Sequence, residues 1–250
     1  MKKGVFIISI DLELLWGRKN MDQNIFIPKV KKERKIIKKL LALFKKYNIP
    51  VTWVLVGKLY ENKHPLWGGK DIVKWIKKEK IHELGSHTYT HEIFTEISRE
   101  KADEEIKNNR SKSFVFPKNR IKYLDLLKKY NFKFYRGKDK SQYELLIPRV
   151  PPTNIPKKVN GLTEIPSSIY LVSDRGIRKY IPKGLRFFKS KLGINKAISR
   201  KEIFHLWFHP IDFADNTESL IKEFEQILKY ADKKRKEGLL KITTMDHINK

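Results

Sequence analysis

Glu83-Leu84-Gly85-Ser86-His87-Thr88-Tyr89-Thr90-His91 is the stretch that the remainder of the chain has to complete. An apolar-then-polar run stops at Gly85-Ser86 and delivers two histidines four residues apart, as expected where a strand ends and the chain turns into a site. The spacing predicts both imidazoles on one face of a helical turn, within reach of a single ion. Neutral imidazole is a common zinc ligand, and a mononuclear catalytic site usually takes three protein ligands and keeps one position open. The pair is therefore half a site. An isolated His-x-x-x-His also arises by chance, so a third ligand must be sought elsewhere.

Around this stretch the chain alternates. Gly4 to Ile10 is a continuous apolar, β-branched run suited to a strand buried on both faces, and it ends in Asp11-Leu12-Glu13. Apolar residues at Val30, Ile37, Leu40, Leu41, Phe44 and Tyr47 keep a three-and-four spacing that predicts an amphipathic helix from about Pro28 to Tyr47. Val51 to Val56 reads as a second strand, Ile72 to Lys78 as a helix, and a third strand leads into His87. A helix over 99–110, a strand Ser113 to Phe116 broken by Pro117, a helix Leu124 to Tyr130 and a strand Phe132 to Tyr135 ending at Arg136-Gly137 follow. Between Lys138 and Lys201, Pro148, Pro151, Pro152, Pro156, Pro166 and Pro182 predict an irregular insertion without long elements, apart from a strand at Leu162 to Ile165. Ile203 to Phe208 is again a strand, ending at His209-Pro210. Asp215 to Glu218 reads as a capping box opening a helix through Leu220, Phe224, Ile227 and Leu228, and Leu239 to Thr243 as a last strand.

Strand and helix in alternation, with buried-type strands, argue for parallel pairing and right-handed crossovers. Asp11, Glu13, His87, Arg136 and His209 all fall just past strand ends, and in a β/α barrel those ends share the rim where active sites lie. A doubly wound open sheet is the alternative, but its glycine-rich loop is absent: Gly4 and Gly17 flank the first strand without a GxGxxG. Residues 1–250 thus read as one α/β domain of barrel type, with 138–201 an irregular insertion inside it.

Composition narrows the function. A hydrophobic content of 40%, with 5 Trp, 10 Tyr and 14 Phe, supplies a packed core. The lack of cysteine excludes disulfides, thiolate catalysis and Cys-ligated metals, and fits a reducing compartment. Lys2-Lys3 before Val5 to Ile8 opens like a signal peptide, but Asp11 and Glu13 interrupt the apolar run and no small-residue cleavage site follows. No apolar run is long enough to span a bilayer, so the chain reads as cytoplasmic and without a transmembrane segment. The formal net charge of +27 invites polyanions. Yet the lysines spread over polar helix faces (Lys31, Lys35, Lys38, Lys222, Lys229), and no nucleic-acid-binding motif accompanies them, so no specific nucleic acid is expected. Peripheral contact with an anionic membrane, or a phosphate-bearing or lipid-linked substrate, is compatible with the charge. The sequence carries no signal of oligomeric state.

Ser9-Ile10-Asp11-Leu12-Glu13, His87-Thr88-Tyr89-Thr90-His91 and Leu206-Trp207-Phe208-His209, in that order, resemble motifs of the NodB-type polysaccharide deacetylases, carbohydrate esterase family four. The resemblance implies a distorted β/α barrel and hydrolysis of an N-acetyl group on a sugar, with one divalent metal held by two histidines and a carboxylate. By the family's pattern His87 and His91 are metal ligands, an N-terminal carboxylate is the general base and His209 the general acid. The family carries two adjacent aspartates in its first motif; here Leu12 separates Asp11 from Glu13. On an extended strand both point to one side. Asp11 is assigned as base and Glu13 as third ligand, with the reverse, or Asp11 as ligand, as alternatives. The arginine expected two residues before Pro117 is replaced by Val115, and Arg136 is the candidate substitute. The family's fourth motif has no counterpart that can be placed. Trp16 and Trp207 are candidate substrate contacts beside Arg136, although a core role is the simpler account of each tryptophan; His64, His82, His205 and His247 read as structural.

The expectation is a metal-dependent hydrolase releasing acetate from an acetylated sugar or glycan precursor, in surface-polysaccharide biosynthesis, with zinc as the first candidate ion and cobalt, manganese or nickel as others. Two alternatives stand beside it: a non-catalytic carbohydrate-binding pseudo-deacetylase, and an amidohydrolase acting on a small non-sugar amide.

Overall fold

A computed structural model of the chain describes residues 1–137, 144–171, 173–174 and 176–248. The part of the expected insertion at 138–143, with residues 172 and 175, lies outside them.

The frame is a sheet centred on β1 (Gly4–Leu12), all nine of whose residues are buried. β9 (Ile203–Phe208) runs parallel along one edge of β1. The other edge is shared: β10 (Leu240–Thr243) pairs with its first half, Gly4 to Ile7, and β2 (Thr52–Leu55) with its second, Ser9 to Leu12. From β2 the order continues through β3 (Glu83–Ser86), β4 (Ser113–Phe114), β5 (Phe134–Tyr135) and β7 (Leu162–Glu164) to β6 (Lys157–Val159); β8 (Ile169–Tyr170) lies beyond β9. Every pairing but the β6–β7 hairpin is parallel. Burial on both faces explains the unbroken apolar run of β1, since a covered parallel strand has no solvent side to keep polar. The architecture is a distorted β/α barrel in a single domain, and its parallel strands deliver their C-terminal ends to one rim.

Helices α1 (Gln23–Tyr47), α2 (Lys70–Lys78), α3 (Arg99–Lys107) and α4 (Leu124–Lys129) follow the strands as expected. α1 starts five residues before Pro28: Asp22 is its N-cap, accepting from Asn24 N at 3.0 Å. Proline is favoured in a first helical turn, which is why the sequence pointed to the later start. Two expectations fail outright. The proline-rich segment contains α5 (Leu185–Arg200), which begins only after Pro182. Its buried stripe is Arg186, Lys189, Ser190, Gly193, Ile194 and Ala197, so helical periodicity is present without apolar periodicity. At its far end α5 crosses β1 so closely that a Cβ on Gly4 would sit 2.7 Å from the backbone of Ile198. The expected capping box at α6 (Thr217–Lys236) is also absent: Asn216 is the N-cap without a side-chain bond, and Asp215 instead pairs with Lys29 at 2.5 Å. No helix among the described residues is long and apolar enough to cross a membrane.

Candidate metal centre and active site

The chain leaves β1 at Leu12, and Glu13 is the next residue, so Asp11 and Glu13 reach the rim on the same face. Leu14 has a positive φ of 50°, and Trp16–Arg18 forms a 3-10 turn that folds back over the carboxylate. Gly17 makes that return possible, because a Cβ there would lie 1.7 Å from Glu13 Oε2.

The two histidines do not occupy a helical turn. His87 follows the last residue of β3, and Thr88 and His91 both have φ of 62°, so a left-handed loop, and not the helical spacing, brings the rings together. Their centroids are 5.0 Å apart. Both Nε2 atoms converge on one oxygen: Glu13 Oε1 lies 3.0 Å from His87 and 3.1 Å from His91. Three buried side chains thereby offer ligand atoms mutually within 4.8 Å.

Tautomer chemistry tests whether a cation fits this cluster. His87 Nδ1 lies 2.8 Å from the Val115 carbonyl, which only accepts, so Nδ1 carries the hydrogen. In the neutral ring Nε2 then presents a lone pair, aimed at a carboxylate oxygen that also only accepts. Burial lowers the pKa of His91 against the opposing pull of Glu13, favouring its neutral form. Burial also opposes ionisation of Glu13, but His209, His91 and Arg18 outweigh it and hold its carboxyl well below the usual range. Two imidazole Nε2 atoms and a carboxylate facing one point are the donor set of a divalent ion, and the residues fit one.

The loop itself is clamped from α3. Buried Glu105 accepts from Tyr89 N at 2.9 Å and Thr90 N at 2.7 Å through Oε2, and from Thr90 Oγ1 at 2.6 Å through Oε1. Asn109 donates 2.7 Å bonds to the carbonyls of Leu55 and Thr88.

Asp11 is treated differently. Arg136, at the end of β5, binds it in bidentate fashion, Nη1 to Oδ1 at 2.8 Å and Nη2 to Oδ2 at 2.6 Å. Burial alone would raise the pKa of Asp11; Arg136, with His87 and His209, brings it below the ordinary value. Arg136 also donates to Asn119 Oδ1, and its guanidinium lies 4.2 Å from the Trp207 centroid. Tyr170 stacks on the same indole at 4.4 Å. Two groups that close to one centroid must take opposite faces, so Trp207 holds Arg136 in place and has no face left for a sugar ring. Trp16 is excluded too: its Nε1 donates to Trp67 O at 2.8 Å, and it packs on the core without lining the cavity.

His209 stands opposite the histidine pair, with Nε2 3.3 Å from Glu13 Oε1 and 4.0 Å from Asp11 Oδ2. Its Nδ1 faces Asp212 Oδ2 at 3.1 Å, the same oxygen that accepts from His209 N at 2.8 Å. Burial disfavours the imidazolium, but Glu13 and Asp212 push its pKa up to about 10. Tyr170 completes the group, donating to Asp212 at 2.8 Å, and burial followed by the Asp212 charge raises its own pKa. Asp11, Glu13, His87, His91, Arg136, Trp207 and His209 all line one cavity of about 510 Å³.

Sequence reasoning overlooked Arg18, which pairs with Glu13 Oε2, and Asn119, Tyr170, Asp212 and Glu105. Two of these left a trace. Asp212 stands three residues after His209, the spacing of a capping box, and Glu105 interrupts the buried stripe Ala102, Glu105, Ile106.

Residues 28–113 match the family model for polysaccharide deacetylases. Over that third of the chain the sequence is similar to the polysaccharide deacetylases. A Mycobacterium smegmatis protein described as a polysaccharide deacetylase shares its fold with a TM-score of 0.71 at 14% identity, over 99% of this chain and 90% of that one. The Puue allantoinase also reaches 0.71, at 12% identity, over 97% and 88%. A variant of a carbohydrate esterase family 4 pseudoenzyme with restored enzymatic activity gives 0.52 at 13% identity, over 99% and 68%. No curated protein matches the chain in sequence. These solved structures share the fold of this chain at very low sequence identity.

Proposed function

We propose that this chain is a metal-dependent hydrolase that removes the acetyl group from an N-acetylated sugar, a glycan precursor being the expected form. The observation that carries the reading is the convergence of the Nε2 atoms of His87 and His91 on Glu13 Oε1 beside a separate, arginine-paired carboxylate. Glu13, His87 and His91 hold the ion. A divalent ion supplies Lewis acidity toward the acyl oxygen and lowers the pKa of water from 15.7 towards ~7, with zinc the first candidate and cobalt, manganese or nickel the others.

Asp11 is kept ionised by Arg136, and it accepts the proton of the attacking water as the new C–O bond forms. His209 arrives protonated, and Asp212 fixes its Nδ1–H so that Nε2 faces the reacting centre. When the C–N bond breaks, His209 gives its proton to the departing amine. Tyr170 and the buried Asp212 hold that ring in one orientation, and Trp207 does the same for Arg136.

The test is elemental analysis of purified protein beside His87→Ala, followed by acetate release from N-acetylated sugars. About one divalent ion per chain, lost in the variant together with acetate release, supports the reading. No ion after incubation with zinc, cobalt or manganese contradicts it. Hydrolysis of a small non-sugar amide at the same cluster is the second reading, supported by the fold in common with the allantoinase. Ammonia or amine release without acetate distinguishes it.

A further inference from the structure

The cavity contains more positive charge than its acids need. Six cations line it, and three are matched: Arg18 by Glu13, Lys29 by Asp215 and Arg136 by Asp11. The remaining acid, Asp212, is taken by His209. Lys118, Arg120 and Arg178 have no ion-pair partner among the described residues. A chain of net charge +27 has many unpaired lysines, but most lie on outward helix faces, whereas these three border one concave site.

The turn that carries two of them is held by built structure. Lys118 and Asn119 both adopt φ of 53°, a left-handed pair that costs conformational energy in residues other than glycine. Asn119 is tied down by Arg136, which donates to its Oδ1 at 3.2 and 3.3 Å, so the short turn Pro117–Asn119 presents Lys118 and Arg120 beside the buried Asp11–Arg136 pair. Arg178 belongs to a second segment, the 3-10 helix Gly176–Tyr180, and its charge is felt at the Tyr170 hydroxyl.

Resting on the hydrolase reading, we propose that the substrate carries a phosphate next to the acetamido sugar, and that Lys118, Arg120 and Arg178 bind it. Three unmatched cations suit a group with a charge of about −1.5 to −2 and three acceptor oxygens better than a carboxylate of charge −1. Arginine adds the planar fork that meets phosphate oxygens in pairs. A volume of about 510 Å³ accommodates a sugar with such a substituent. In a nucleotide-linked or a lipid-linked sugar the same total charge is carried by a diphosphate bridge.

The test is calorimetric titration of the wild-type protein at low salt with N-acetylglucosamine 1-phosphate and with methyl N-acetylglucosaminide. The phosphorylated sugar is expected to bind at least about tenfold tighter. That preference should collapse in Lys118→Gln/Arg120→Gln/Arg178→Gln and shrink in Arg178→Gln alone. Equal affinity for the two ligands, failure of both to bind, or a preference that survives the triple variant overturns the proposal. So does equal binding of an N-acetylated uronate, which would place a carboxylate there. UDP-N-acetylglucosamine and a polyprenyl-diphosphate-linked N-acetylglucosamine in detergent separate the nucleotide from the lipid source, and tighter binding of either than of the neutral glycoside supports the phosphate site. Metal content and acetate release on the same preparations report on the hydrolase reading independently, because the titrations need neither.

Discussion

Asp11 and Glu13 stand two residues apart at the end of one strand, both buried in one cavity, and the protein treats them in opposite ways. Both oxygens of Asp11 are committed to Arg136. Glu13 gives one oxygen to Arg18 and leaves the other facing three imidazole nitrogens at 3.0, 3.1 and 3.3 Å. Environment, and not residue type, separates the roles: one carboxylate has both oxygens locked by a guanidinium, while the other leaves one oxygen at the point where two imidazoles converge.

The comparison is broken most severely by removing the guanidinium. Arg136→Met leaves the Asp11 charge buried and unpaired, and should lower unfolding free energy by about 3–5 kcal/mol in denaturant titrations. Adding Asp11→Asn should recover a large part of the loss; an additive double variant would show that the pair does not act as a unit.

A smaller effect sharpens the Glu13 side. Glu105 touches no ligand atom, yet it fixes the backbone that carries His91. Glu105→Gln should weaken metal affinity by about 10- to 100-fold with little change in the circular-dichroism spectrum. Unchanged affinity would mean that the loop holds its shape without the clamp.

The smallest effect concerns a carboxyl left without either solution. Glu33 lies in the buried stripe of α1, its Oε1 has no hydrogen-bond partner, and burial raises its pKa to about 8 despite the pull of Arg18. The folded chain keeps this proton to about pH 8, whereas the unfolded chain releases it near the ordinary carboxyl value of 4.5, so its contribution to stability is full below 4.5 and fades as pH rises to 8. Glu33→Gln removes that dependence. Its Tm relative to wild type should rise between pH 5 and 8, by the equivalent of on the order of 1–3 kcal/mol. A difference that stays flat with pH would contradict a protonated Glu33.

How much of this was legible follows from what sequence patterns encode. β1 and β9 announce themselves through unbroken apolar runs, because both their faces are covered, and α1 and α2 through exposed and covered faces that differ in polarity. α5 was hidden because its covered stripe includes Arg186, Lys189 and Ser190. His87, His91, Asp11, Glu13 and His209 were readable as residues past strand ends, since parallel strands send those ends to one rim. Their orientation was not: the left-handed Thr88 and His91, the return of the chain over Glu13 at Gly17, and the supply of Arg136 from another strand are three-dimensional facts with no local signature. Trp207 resembled a sugar platform until both its faces were found covered.

The most direct test of the division between the two carboxylates is metal stoichiometry by elemental analysis on wild type, Asp11→Asn and Glu13→Gln prepared side by side. About one divalent ion per chain in wild type and Asp11→Asn, with most of it lost in Glu13→Gln, is the predicted result. Metal retained by Glu13→Gln and lost from Asp11→Asn would contradict the account and make Asp11 the ligand.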